Sequence, residues 1–369
     1  MRRCFTILLG SWLIAAGASC GSGDDLQGPS LPAAVDGATG GAAGASGSGG
    51  SGGQAQDAGG SGGEAGSTPG DASLPDAAGP TAQQACSHLG QVLCGRLQAC
   101  APLLMDVWYE DASSCADILS SSCVEALTLP GTVKTPAWTD SCATAVQAWS
   151  CQDLLTRNTP AACLPPPGPR PEGTPCGEDG QCSTGYCASG LNEACGHCRA
   201  KSAANGPCGK DDDCQPGLAC NPQSVCVPYA AQDAACDANH PCQAWLSCTR
   251  TSSTNTVCRP AAGAGQPCSS PTPGQNPGCN IVEEYYCTTV THVCQKLQLA
   301  SAGDPCGVVG SDYAMCTGAS VCKTTGLSGT CQAAAGVGGP CNLVTGPYCE
   351  ASLKCVSGSC ADPDLTTCN

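Results

Sequence analysis

Cys195-Gly196-His197-Cys198 is the one CxxC in the sequence, and cysteines at that spacing exchange disulfides when a lowered pKa keeps one of them ionised. A redox pair of this kind belongs beside a βαβ pattern, and the surrounding sequence has none, so the ends of structural bridges are the simpler expectation. Asp211, Asp212 and Asp213 offer oxygen ligands to calcium, but a calcium loop spaces its ligands and adds a glycine turn and a terminal glutamate. A solvated acidic loop is expected there. Glu283, Glu284, Tyr285 and Tyr286 set two aromatics beside charge, as an interaction loop would. Tyr286 also precedes Cys287 as Tyr186 precedes Cys187 and Tyr348 precedes Cys349, so packing over a disulfide explains it equally. His88, His197, His240 and His292 are scattered, and no GxSxG, HExxH or P-loop accompanies them. The sequence nominates no catalytic residue, no cofactor and no metal ligand.

What must position any functional loop is sulfur. The chain of 369 residues holds 36 cysteines, 49 glycines and 29 prolines but a single phenylalanine, so cross-links must replace a large apolar core. Such bonds persist in oxidising compartments. Zinc is the rival use of cysteine, and four histidines with one CxxC give no repeated zinc spacing. A formal net charge of -16 without a basic stripe argues against nucleic acid, whose phosphates require clustered Lys and Arg. The dispersed acids are expected to keep a cysteine-dense surface soluble.

Arg2 and Arg3 precede a mostly apolar run from Phe5 to Ala18, the pattern of an export signal over residues 1–20 and too short to span a bilayer. Ala16, Gly17 and Ala18 form an A-x-A cleavage site, which would give a secreted protein. Gly17-Ala18-Ser19-Cys20 resembles the lipobox of bacterial lipoproteins, in which the cysteine is acylated; Gly17 stands where that motif usually has a large aliphatic residue. Parity favours the lipid. Without Cys4 there remain 35 cysteines, and 34 if Cys20 becomes an anchor; only the second number pairs completely. By the same resemblance Gly21 implies delivery to the outer membrane or cell surface. Residues 21–82 are Gly-, Ala- and Ser-rich without cysteine and read as a disordered stalk.

Residues 83–163 carry eight cysteines and a helical composition. Cys86, Leu89, Leu93, Leu97 and Cys100 share one helical face. Ser114 with Asp117 has the form of a capping box before Ile118, and Trp138, Cys142, Val146 and Trp149 make a third stripe. Three short helices are expected, forming a small core rather than a binding groove. Cys86 and Cys94 lie about 12 Å apart along a helix, beyond the reach of a disulfide, so the bridges should run between helices. The Pro-rich residues 164–172 should act as a semi-rigid hinge holding the two halves apart.

In residues 173–369 a proline directly before a cysteine recurs at Pro175-Cys176, Pro207-Cys208, Pro267-Cys268, Pro305-Cys306 and Pro340-Cys341, with Ala235-Cys236 as a sixth start. The six units open 28 to 38 residues apart, a repeat array in which each unit is stapled internally. The first holds Cys176, Cys182, Cys187, Cys195 and Cys198, and the second Cys208, Cys214, Cys220 and Cys226. Units starting at Cys236, Cys268 and Cys306 have four cysteines each, and the sixth has five, including Cys368. Four cysteines allow three pairings, and spacing does not select among them. The stretch PCGEDGQCSTGYCASGLNEACGHC resembles the amino-terminal cysteine-rich domain of Dickkopf proteins, and PCGKDDDCQPGLAC is similar to a shortened copy. Comparable repeats on a glycine-rich stalk occur in bacterial surface lipoproteins. The fold expected is small disulfide-rich modules with little regular secondary structure, preceded by a small disulfide-linked helical domain and a disordered stalk. The function expected is a non-catalytic, lipid-anchored scaffold presenting loops to an unidentified protein or glycan, with a tethered peptidase inhibitor or an envelope spacer as alternatives.

Overall fold

The structure, a computed structural model, describes residues 79–369 except 190–192, 194, 270–273, 289, 311, 343–344, 351–352, 363 and 369. The expected export signal, Cys20 and nearly all of the expected stalk lie outside the described residues. No helix among those described is long and apolar enough to cross a membrane.

Five helices make the first domain: α1 (Ala82–Cys100), α2 (Pro102–Tyr109), α3 (Ala112–Thr128), α4 (Pro136–Gln147) and α5 (Cys151–Leu155). Thr81 and Gln84 close a reciprocal capping box on α1, which satisfies two of its otherwise unpaired amides. The stripe Cys86, Leu89, Leu93, Leu97 and Cys100 is buried as expected. Cys86 bonds Cys123 and Cys94 bonds Cys115. The eight-residue step on α1 is thus met by an eight-residue step of opposite sense on α3, which fixes the two helices antiparallel and in register. Cys100–Cys151 ties α5 to α1, and Cys142–Cys163 ties α4 to the turn at Ala161–Cys163.

Three details of the helical reading change. The break at Pro102 begins a separate helix, α2, because proline has no N–H to lose at a first position. The cap of α3 is Asp111, whose Oδ1 accepts the Ser114 amide at 2.7 Å, so this helix starts before the Ser114–Asp117 pair. Trp149 lies beyond α4, packed on the core with its Nε1 donating to Asn158 O at 2.9 Å.

The second half is six modules with one bonding rule, once Cys195 of the first and Cys368 of the sixth are left out of the count: first cysteine to third, second to fourth. The pairs are 176–187 and 182–198, 208–220 and 214–226, 236–248 and 242–258, 268–287 and 279–294, 306–322 and 316–331, and 341–355 and 349–360. In every module the third and fourth cysteines are direct partners across an antiparallel pair. The residue before the first cysteine faces the residue before the fourth, as in Pro175 with His197, Pro207 with Val225 and Ala235 with Val257. At Pro207 the flanking bonds are Cys208 N to Ser224 O and Cys226 N to Gly206 O. The position therefore makes no demand on its own N–H, which is why proline fits it and Ala235 can replace proline. The core of the first module is four cysteines, Cys176, Cys182, Cys187 and Cys198. Without cross-links so small an apolar cluster does not offset chain entropy; loops of 11 to 19 residues contribute about 3 kcal/mol each in the chain-entropy account.

The proline-rich segment is not a spacer. Arg170 exchanges backbone bonds with Gln181 and Ser183, Gly168 N donates to Cys182 O, and a Cβ on Gly168 would lie 2.3 Å from the Gln181 carbonyl carbon. Residues 168–170 thus pair with 181–183 through a parallel bridge at Arg170 and Cys182, and the same bridge precedes later modules at Ser202 with Cys214, Ala230 with Cys242 and Ala262 with Cys279. Nor are the halves held apart. Lys134 pairs with Glu178 at 2.5 Å with both side chains buried, and Gln181 Nε2 donates to Pro130 O at 2.8 Å.

A turn after the second cysteine docks the middle modules on the helices. Gly217, Trp245, Glu284 and Ala319 occupy it, all with positive φ. Gly217 N donates to Thr156 O and Ala319 N to Val107 O. Trp245 packs on the helical core, and Glu284 lies close enough to Asp106 of α2 to add to the burial that raises the Asp106 pKa. The surplus cysteines of the first and sixth modules bond each other, Cys195–Cys368, over a sequence separation of 173. The 17 described bonds take two cysteines each and use all 34 from Cys86 to Cys368.

Candidate binding surface and its buried support

The modules place their polar side chains by repeating one local design. Asp179 Oδ1 accepts the amide of Cys187 at 2.8 Å, and Asp211 Oδ1 accepts that of Cys220 at 2.7 Å. Gln181 Oε1 accepts the Gly177 amide, and Asp213 Oδ2 the Gly209 amide, both at 2.7 Å. Asp211 and Asp213 therefore staple the turn between the first two cysteines to the strand that follows.

This corrects the solvated-loop reading of the three aspartates. Asp212 and Asp213 are buried, and the cluster meets cations from other parts of the chain. Arg157, itself buried with φ 57, lies 3.4 Å from Asp212 and 3.5 Å from Asp211, and donates to Leu218 O and to the Tyr229 hydroxyl. Arg199 pairs with Asp213, which also accepts the Tyr186 hydroxyl at 2.8 Å. Burial pushes the Asp212 carboxyl up to about 6, only partly opposed by Arg157, Lys210 and Lys201. Burial also raises Asp213, but the Gly209 amide, Arg199 and Tyr186 outweigh it and hold that carboxyl below the usual range. Burial lowers the Lys201 ammonium, whose Nζ lies 4.9 Å from the Tyr186 ring centroid. Arginine and amides fill the aspartates' acceptor positions, so the cluster is an ion-paired joint between the helices and the first two modules.

The CxxC resolves into two bridge ends, Cys195 to Cys368 and Cys198 to Cys182. The remaining structural cysteines expected, Cys176, Cys187, Cys208, Cys214, Cys220 and Cys226, are all bonded within their modules. His88 lies 2.7 Å from Asp140 and His240 2.8 Å from Asp237, in separate parts of the chain.

Tyr286 does meet a partner, but in the next module. Its hydroxyl accepts the Tyr313 amide at 3.2 Å, and the two ring centroids are 6.1 Å apart. Tyr186 likewise reaches from the first module to Asp213 of the second, so the tyrosine before the third cysteine is an inter-module tie in both places. Tyr285 packs inward on its own module's cysteines.

The fifth module has the largest sheet, built from Gln298–Ala300, Asp312–Cys316, Pro305–Val309, Ser328–Gln332 and Val321–Thr324 in spatial order. One face buries Ala300, Cys306, Ala314, Cys316 and Cys331. On the other, Tyr313 stands opposite Val308 and Met315 opposite Leu299, and Leu299, Val308 and Tyr313 are 38 %, 43 % and 39 % exposed. Sequence reading missed this face; its signal was the alternation of Tyr313, Ala314, Met315 and Cys316. Leu299, Val308 and Tyr313 thus form an exposed apolar group on a sheet face, with the Tyr286–Tyr313 ring pair beside it. Comparison with protein-family models, curated proteins and solved structures finds no match to this chain.

Proposed function

We propose that this protein is a non-catalytic, exported lipoprotein, acylated at Cys20, whose stapled modules present surfaces to a protein or glycan outside the cell. The chain is a disulfide-rich scaffold of extracellular character. The observation that carries the reading is the closed pairing of the 34 cysteines from Cys86 to Cys368, which leaves Cys20 no partner among them. The cysteine spacing resembling Dickkopf amino-terminal domains belongs to this proposal as a kinship of scaffold, without that family's signalling role.

Intact mass of the membrane-extracted protein tests it. A diacyl or triacyl addition on Cys20, with the other cysteines alkylated only after reduction, is expected. A free thiol at Cys20, or cleavage after Ala18 without lipid, overturns the anchor. Residues 79–369 passed over envelope fractions and a glycan array should retain a ligand, and Tyr313→Ala should weaken that retention.

A tethered peptidase inhibitor is favoured by one feature, the Tyr285–Lys296 hairpin, whose tip carries Val290 at 85 % exposure between bridged Cys287 and Cys294. Inhibition of an elastase-like peptidase that Val290→Asp abolishes would establish it, and a protease panel without inhibition would eliminate it.

A further inference from the structure

Every described disulfide but one lies within the helical domain or within a single module. Cys195–Cys368 crosses from the first module to the sixth. The segment it fastens, 364–368, lies in the seam between the helices and the first module. The Cys368 carbonyl accepts from Arg170, and Arg170 also donates to Pro175 O and Pro130 O. A Cβ on Gly177 would lie 3.1 Å from Leu365 Cβ and 3.2 Å from Leu129 Cδ1, so Leu365 closes over the point where helix domain and first module meet. Lys354 Nζ donating to Glu193 O at 2.9 Å is a second, non-covalent tie between the same two modules.

The seam also holds like charges together. Glu125 of α3 feels Asp362 just before the fastened segment and Asp364 within it, and burial, aided by those two carboxylates, raises its pKa. Like charges thus face one another across the seam that the bond closes. The bonds inside modules are arranged differently. There the two bonds interlace, so when one is cut the other keeps the freed thiols close, within loops of 11 to 19 residues. The bond at the seam has no covalent companion.

We propose that Cys195–Cys368 is a redox latch: a dithiol reductant opens it before any bond inside a module, and residues 364–368 then leave the seam. Cys195 is the half-buried partner and Cys368 the buried one, so the reductant's thiolate attacks Cys195 Sγ. A mixed disulfide forms there as Cys368 departs as a thiolate and takes up a proton. The second thiol of the reductant then attacks the mixed disulfide, releasing Cys195 as a thiol and leaving with an oxidised disulfide. Two electrons pass from the dithiol to the protein bond.

The test uses the full oxidised chain. It is treated with graded dithiothreitol, quenched in acid, alkylated and peptide-mapped, with hydrogen exchange followed on matched samples. Cys195 and Cys368 should alkylate at a dithiol concentration roughly tenfold or more below that needed for any other cysteine, as the difference in loop closure implies. Exchange should rise in 364–368 and 170–177 alone. Alkylation of cysteines inside modules at equal or lower dithiol overturns the latch, as does reduction of the seam bond without a change in exchange. The double variant Cys195→Ser/Cys368→Ser should show the raised exchange with no dithiol present, and seam protection equal to wild type in that variant also overturns it.

Discussion

Asp212 sits within reach of Arg157 with its carboxyl raised from 3.8 to about 6 by burial. A carboxyl raised in the folded state binds its proton more tightly there than in the unfolded chain, so its contribution to stability is complete below about pH 4 and is lost as pH climbs through about 6. Asp212→Asn removes this titration and leaves Asp211 beside Arg157. Measured by chemical denaturation, the stability of the wild type relative to Asp212→Asn should fall by ~2 to 3 kcal/mol between pH 4 and 7, since each tenfold difference in proton affinity between the folded and unfolded chain is worth about 1.4 kcal/mol. A constant difference across that range would refute the assignment. Half of this joint was legible in the sequence. Asp179 and Gln181 in the first module stand where Asp211 and Asp213 stand in the second, so the amide-stapling role could be read by laying the repeats side by side. Arg157 was not, because it comes from a distant segment and only folding brings it to the aspartates.

At the scale of elements, each module depends on a residue in left-handed conformation three places before its first cysteine: Gly173, Asn205, Asp233, Gly265, Gly303 and Gly338. Its amide bonds the carbonyl of the fourth cysteine, as Gly303 N does to Cys331 O. A Cβ at Gly303 would meet nothing within 4 Å, so Gly303→Val isolates the backbone cost, about 1 to 2 kcal/mol. Hydrogen exchange should quicken in the fifth module by the matching factor and stay unchanged elsewhere. Trp245 poses the opposite contest. Trp245→Gly relieves a bulky residue at φ 61, worth about 1 to 2 kcal/mol, but deletes a large side chain from the helical core, worth about 3 kcal/mol or more. Packing should win, and the thermal midpoint should fall. The helices of the first domain were legible from the period of their apolar faces. α2 was hidden by Pro102, which reads as a stop and acts as a start, and the strands were hidden because pairs of two to five residues are too short to show alternation.

For the molecule as a whole, sulfur replaces most of the apolar core in the modules, so stability should follow the redox state. Reduction and alkylation should lower the thermal midpoint by tens of degrees, given about 3 kcal/mol per short loop. A reduced protein that melts like the oxidised one would show that the cysteines are incidental. Complete pairing could be anticipated from parity. The bond between the first and sixth modules could have been as well, since those two units carry five cysteines where the others carry four. The pairing inside each module could not, because spacing alone treats the three arrangements alike. The prolines before the first cysteines have a consequence beyond the fold. At 207, 267 and 340 the proline removes an amide that points away from the module, and all three are exposed, whereas Pro305 lies in a strand flanked on both sides. An unpaired strand edge is ordinarily a template for another chain's backbone. Here the template lacks its donor, so chains crowded side by side meet at edges that resist intermolecular β-sheet growth.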